Sequence, residues 1–140
     1  MLDIKVCRCS DTAIIPTNAH DTDACFDLYA DLGEDEIISI DPGLAATIKT
    51  GIKTAIPNSY FAAIFCRSGM GIKRHLRLSN SVGIIDSDYR GEWLVQLRND
   101  GLETQVIKNG DRIAQFAVLP VIPVYMDEVR NLDDTSKSTR

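Results

Sequence analysis

Seven residues, Asp86-Ser87-Asp88-Tyr89-Arg90-Gly91-Glu92, follow the apolar pair Ile84-Ile85 and precede Trp93. So dense a run of polar groups is not buried without partners, which leaves a solvated turn or a site. The opening Asp-x-Asp and the glycine at the sixth position suggest a calcium loop, but the chemistry fails. Arg90 stands where an oxygen ligand belongs, and Leu97 fills the twelfth position in place of a bidentate glutamate. A plain hairpin turn fits this segment as well as a site does.

Three other stretches set small residues among polar groups between apolar runs: DACFDLYA (23–30), CRSGMG (66–71) and NGDRIAQ (109–115). Arg67 offers a planar fork of donors, Ser68 a hydroxyl and Gly69 an unshielded amide, a set that suits phosphate oxygens, and Gln115 adds an uncharged donor. Asp27 is a carboxylate able to hold a hydrated Mg²⁺ between protein and phosphates. There is no Walker sequence, so a nucleoside triphosphate bound here is held without a P-loop.

The elements that must position these groups are short. Apolar runs recur at Ile4–Val6, Phe26–Tyr29, Ile37–Ile40, Ala45–Ile48, Tyr60–Phe65, Val82–Ile85, Trp93–Leu97, Gln105–Ile107, Ile113–Leu119 and Val121–Tyr125. Asp-Pro-Gly (41–43), Pro-Asn (57–58), Asn-Asp-Gly (99–101) and Asn-Gly-Asp (109–111) supply turns between them. The pattern predicts an all-β barrel or sandwich with at most one brief helix, about 70–79. Trp93, Val95 and Leu97 form one apolar face of a strand whose other face is mixed, as when a partner covers it. One domain over 1–130 and a polar, mobile tail over 131–140 complete the organisation.

At 140 residues, 44% hydrophobic and 25% charged, the composition is that of a folded domain with no run long enough to span a bilayer. The first ten residues are interrupted by Asp3, Lys5 and Arg8, unlike a secretion signal, which favours the cytoplasm. A net charge of −5 argues against a nucleic-acid partner. The basic run Lys73, Arg74, His75 and Arg77 reads as a solvated surface, with steering of an anionic small molecule as the alternative. Cys7, Cys9, Cys25 and Cys66 have no zinc spacing and read as reduced thiols, Cys7 and Cys9 by packing on one strand face.

In order and together, DACFDLYA, CRSG, NSVGIIDSDYRGE and GDRIAQ resemble the four successive motifs of the trimeric dUTPase family, across roughly residues 20 to 135. The resemblance implies a distorted jelly-roll-like subunit, a homotrimer and three sites built at subunit interfaces. It implies Mg²⁺-dependent hydrolysis of dUTP to dUMP and pyrophosphate, which limits uracil in DNA and supplies dUMP for thymidylate. Carried over by position, Asn80 and the backbone from Gly83 to Ile85 line the uracil pocket and Tyr89 packs under the deoxyribose. Asp86 holds the 3′-hydroxyl and activates the attacking water in a dry pocket. Arg67, Ser68, Gly69 and Gln115 contact the phosphates, Asp27 reaches the metal through water, and Asp88 and Arg90 brace the hairpin and neighbouring subunits.

The sequence departs from the family where Cys25 replaces a usual glycine and Cys66 a usual proline, with local backbone shifts expected. A fifth family motif, a glycine-rich lid with an arginine and a phenylalanine, has no full counterpart up to Arg140. Either the natural chain continues or the protein works without a lid. Two alternatives accompany this reading: a dCTP deaminase-like enzyme of the same fold, and a nucleotide-binding regulatory trimer with weak activity.

Overall fold

A computed structural model describes residues 1–132. Eleven strands form: β1 (Lys5–Arg8), β2 (Phe26–Tyr29), β3 (Ile37–Ile40), β4 (Ala45–Lys49), β5 (Ile52–Ala55), β6 (Tyr60–Phe65), β7 (Leu76–Leu78), β8 (Gly83–Ile85), β9 (Leu94–Asn99), β10 (Gln105–Lys108) and β11 (Arg112–Pro120). All pair antiparallel, in four small sheets ordered β1-β5, β10-β3, β2-β11-β6-β8 and β4-β9-β7. Neighbours in the larger sheets are not neighbours in sequence, the crossing pattern of a jelly-roll-like β domain. Among the described residues no helix is long and apolar enough to cross a membrane.

Alternation decides which residues meet inside. Trp93, Val95 and Leu97 are buried while Leu94 and Gln96 face outward. Leu28, Ile48, Ile64, Leu76, Ile107 and Ile113 join them in one core. The Trp93 ring packs edge-on against Phe116 with centroids 4.9 Å apart, and its indole nitrogen donates to Thr54 Oγ1 at 3.2 Å. Asn99, fully buried, spends its amide on the carbonyls of Ile40 and Glu103 and accepts from the Gly101 amide, which closes the 99–101 turn.

The structure corrects four local expectations. The helix is a single turn, Gly69–Lys73, and Leu76–Leu78 is a strand. Leu76 and Leu78 gain burial by pairing with β9, a tertiary preference that the polar run around them conceals. Ile52–Ala55, not anticipated, is β5: Ile52 and Thr54 alternate inward, and β1 completes the pair. Val121–Tyr125 is not a strand, because beyond the bond from the Val121 amide to Ser59 O it finds no backbone partner among the described residues. Cys7, on β1, and Cys9, just past its end, are exposed, not packed; among the described residues β1 pairs with β5 alone. The tail expected over 131–140 lies outside the described residues from 133 onward.

Candidate active site

The sheet β2-β11-β6-β8 carries the groups singled out by type. Asp27 stands opposite Gln115, and Gln115 opposite Phe65. Arg67 follows two residues on. These strands therefore bring Asp27, Arg67 and Gln115 to one basin of about 320 Å³, lined also by Cys25, Asp23 and Arg112. Arg67 Nε donates to Asp27 Oδ1 at 2.7 Å, and Gln115 Nε2 to the Cys66 carbonyl at 3.0 Å. Ser68 is exposed and its hydroxyl makes no bond to the helical turn it begins, while Gly69 fronts open space. The donors beside Arg67 are thus available to a ligand.

Arg112 is the residue that reading by type missed, although it sits in the quoted NGDRIAQ. Three residues from Gln115, it belongs on the opposite face of a regular strand. The pairing of β11 with β2 shifts register between Arg112 and Ala114, and this irregularity turns Arg112 to the side of Gln115. Its neighbour Asp111 is a turn brace that accepts from the Lys108 amide.

Burial pushes the Cys25 thiol up, with the nearby Asp27 carboxylate adding to it, and burial likewise raises Cys66. Both stay protonated at neutral pH and are poor nucleophiles. Cys66 Sγ donates to the carbonyls of Leu76 and Arg67, which ties the Arg67 segment to β7.

A second cavity of about 260 Å³ is lined by Asn80 and Gly83 together with Ile64, Leu78, Ser79, Thr47 and Gln96. A Cβ at Gly83 would come within 3.1 Å of the Ile64 side chain, which would have to give by a few tenths of an ångström to admit a larger residue. Ile85 ends β8, and Asp86 and Tyr89 follow on a braced turn. The Tyr89 amide donates to Asp86 O, Arg90 Nη1 to the carbonyls of Ser87 and Tyr89, and Tyr89 Oη to Glu92 O. The tyrosine ring lies so close to Gly91 that an added Cβ would fall 2.5 Å from its hydroxyl oxygen. Arg90 is therefore a brace of the hairpin, while Asp88 is exposed.

The two groups do not converge within this chain. Gly83 faces Ile64 and Ile85 faces Ala62, so the turn bearing Asp86 and Tyr89 leaves toward the start of β6, whereas Arg67 lies beyond its end. Arg67 is five steps along the chain from Ala62, roughly 17 Å if extended. Glu92 accepts from the Gly51 amide and Trp93 N donates to Ile52 O, which anchors the turn on β5, away from the basin.

A jelly-roll-like β domain with an arginine-lined polar basin and a separate carboxylate turn defines a protein that handles anionic ligands. Residues 11–140 match the family model of dUTPase. The deoxyuridine 5′-triphosphate nucleotidohydrolase of Ehrlichia canis is 41% identical over 94% of this chain and 85% of its own length. That of Alkaliphilus metalliredigens is 39% identical over 99% and 93%. A dUTPase variant of Staphylococcus bacteriophage 80alpha with dUpNHpp superposes with a TM-score of 0.86 at 25% identity, covering 96% of this chain and 92% of that one. The chain belongs to the dUTPase family. The deaminase-like alternative is set aside by these matches.

Proposed function

We propose that this dUTP diphosphatase works as a homotrimer whose site is completed across chains, the basin of one chain facing the Asp86 turn of another. What carries this reading is the placement of Asp86 and Arg67 toward opposite ends of β6, which no single chain brings together. The exposed apolar side chains of Ile84, Leu94, Ile122, Val124 and Tyr125 add surface that subunit contact removes from water. The protein acts in the cytoplasm on dUTP, and nucleic acid and membranes are not its partners.

In this reading Asn80 and the backbone from Gly83 to Ile85 receive uracil, and Tyr89 packs under the deoxyribose. Arg67, Ser68, Gly69 and Gln115 hold the phosphate chain. Asp86 binds the 3′-hydroxyl and takes a proton from the water that attacks the α-phosphorus, as the bond to the bridging oxygen breaks and pyrophosphate leaves. Asp86 is exposed in the single chain, so the dry surroundings suited to this role come from the neighbouring subunit.

Among the described residues no three His, Cys, Asp or Glu side chains are grouped to hold a metal. Two carboxylates, Asp23 and Asp27, line the basin, a set that fits Mg²⁺, which keeps several waters and binds through one or two carboxylates and substrate phosphates. Asp27 would hold it through water, and when bound it neutralises charge on the departing pyrophosphate.

Subunit mixing tests the shared site. Asp86→Asn and Arg67→Ala trimers, each strongly impaired, are expected to recover part of wild-type turnover after subunit exchange, because some interfaces then hold two intact halves. Complete exchange, verified by mass, without recovery places the site in one subunit. Sugar selection is expected to depend on Tyr89. Its ring excludes a 2′-hydroxyl by bulk, so Tyr89→Ala should raise UTP hydrolysis relative to dUTP by about tenfold or more. An unchanged dUTP to UTP ratio of kcat/KM moves sugar selection elsewhere.

A further inference from the structure

Ser79 carries a hydroxyl that the fold does not use. Its oxygen is shut off from solvent, and among the described residues it finds no hydrogen-bond partner. Buried hydroxyls are nearly always bonded, so one that is not marks a place where another molecule supplies the bond. Ser79 stands one position past β7, where its amide still donates to the Gln96 carbonyl at 3.0 Å. The turn beyond is tied by the Ser81 amide to Leu78 O at 3.2 Å and by the Val82 amide to Asn80 O at 2.7 Å. To make that turn Ser81 adopts φ +63°, a left-handed conformation uncommon for serine. The backbone is thus fixed on both sides of Ser79 and does not carry the hydroxyl out to water.

Ser79 belongs to the wall of the cavity of about 260 Å³ that Asn80 and Gly83 also line. Gln96, in the same wall, already commits its amide nitrogen to Thr47 Oγ1 at 3.0 Å. Ile64, Leu78 and Val95 make the surroundings apolar. A ligand suited to such a wall is small and flat, with apolar faces and a polar edge, and a pyrimidine base is of that kind. A serine hydroxyl both donates and accepts, so it can meet a ring carbonyl or a ring N–H.

We propose that Ser79 reads the base: its hydroxyl forms a hydrogen bond to the polar edge of the pyrimidine, the partner that the free chain does not give it. The proposal rests on the reading of the Asn80–Gly83 cavity as the base pocket. The base takes no part in the bond changes at phosphorus, so this bond is equally strong in the bound substrate and in the transition state. Ser79 therefore acts on binding and not on the chemical step.

The test is Ser79→Ala, followed by steady-state kinetics, equilibrium binding and thermal melts of the full chain. KM for dUTP is expected to rise about tenfold, with kcat within about twofold of wild type. Affinity for dUpNHpp with Mg²⁺ should fall by a similar factor, whereas inorganic pyrophosphate, which has no base, should bind as before. The free variant should melt at the wild-type temperature or above it, because the substitution removes a buried group that had no partner in the chain. Asn80→Ala, in the same cavity, is measured alongside as the reference for the base pocket.

Unchanged KM and dUpNHpp affinity in Ser79→Ala, with binding weakened in Asn80→Ala, overturns the proposal and leaves the base pocket standing. Weakened pyrophosphate binding in Ser79→Ala also overturns it, since the effect is then general to the site. A lower melting temperature or a loss of oligomer mass overturns it in favour of a structural or subunit contact for the hydroxyl. If neither variant alters dUpNHpp binding, the base reading of the cavity falls, and the proposal with it.

Discussion

Asp86→Asn is expected to slow dUTP hydrolysis by about a hundredfold or more while leaving affinity for a non-hydrolysable analogue within about threefold of wild type. Asparagine keeps the size of the side chain and its ability to contact a sugar hydroxyl, but it does not accept the proton of an attacking water. The turn that carries residue 86 is braced by backbone and Arg90 contacts that do not involve the carboxylate. The substitution therefore leaves the hairpin intact. Single-turnover rates and equilibrium binding, measured on the same preparations, separate the two effects. Near-normal turnover removes Asp86 from the mechanism, and a matching loss of binding and rate assigns it to substrate contact alone.

Trp93→Ala is expected to destabilise the fold by about 3–5 kcal/mol, the range for a large buried aromatic cut to a methyl group. Trp93 is 1% exposed and packs against Phe116, which in turn stacks on Phe26 at 5.6 Å, so its loss opens a cavity bordered by β2, β5 and β11. Its carbonyl accepts from Thr50 Oγ1 at 2.6 Å and its amide donates to Ile52 O. The residue also directly follows the Asp86–Glu92 turn, so the cavity loosens the anchor of that turn as well as the core. Urea unfolding gives the stability change. Trp93→Phe, which keeps much of the ring volume and gives up the bond to Thr54, should cost clearly less. Equal losses in the two variants would assign the effect to the Thr54 hydrogen bond.

Much of the fold was legible because short apolar runs between turn residues leave little choice but strands. Phe26–Tyr29, Ile37–Ile40 and Tyr60–Phe65 form with the bounds that the pattern predicts. Leu76–Leu78 and Ile52–Ala55 escaped notice because each is short and carries a charged residue at its centre, Arg77 and, one position off, Lys53. Val121–Tyr125 has the composition of a strand and finds no strand partner among the described residues, and pairing is not a property of one segment.

By itself the sequence determined which side chains carry donors and carboxylates suited to a phosphorylated ligand, and the order of motifs that places the chain in its family. Arg67, Ser68, Gly69 and Gln115 are recognisable from their donors, and Asp86 from the turn around it. Only the tertiary structure decided how they are grouped. The β2-β11-β6 register sets Asp27 against Gln115, and a shift within β11 turns Arg112 into the basin against the alternation of a regular strand. It also leads the Asp86 turn toward the other end of β6, so that two sets of residues read as one site stand apart in the chain. The physical reason is that side-chain chemistry is local to each residue, whereas strand register is set by many distant contacts at once, and a shift of one position reverses the face on which a side chain stands.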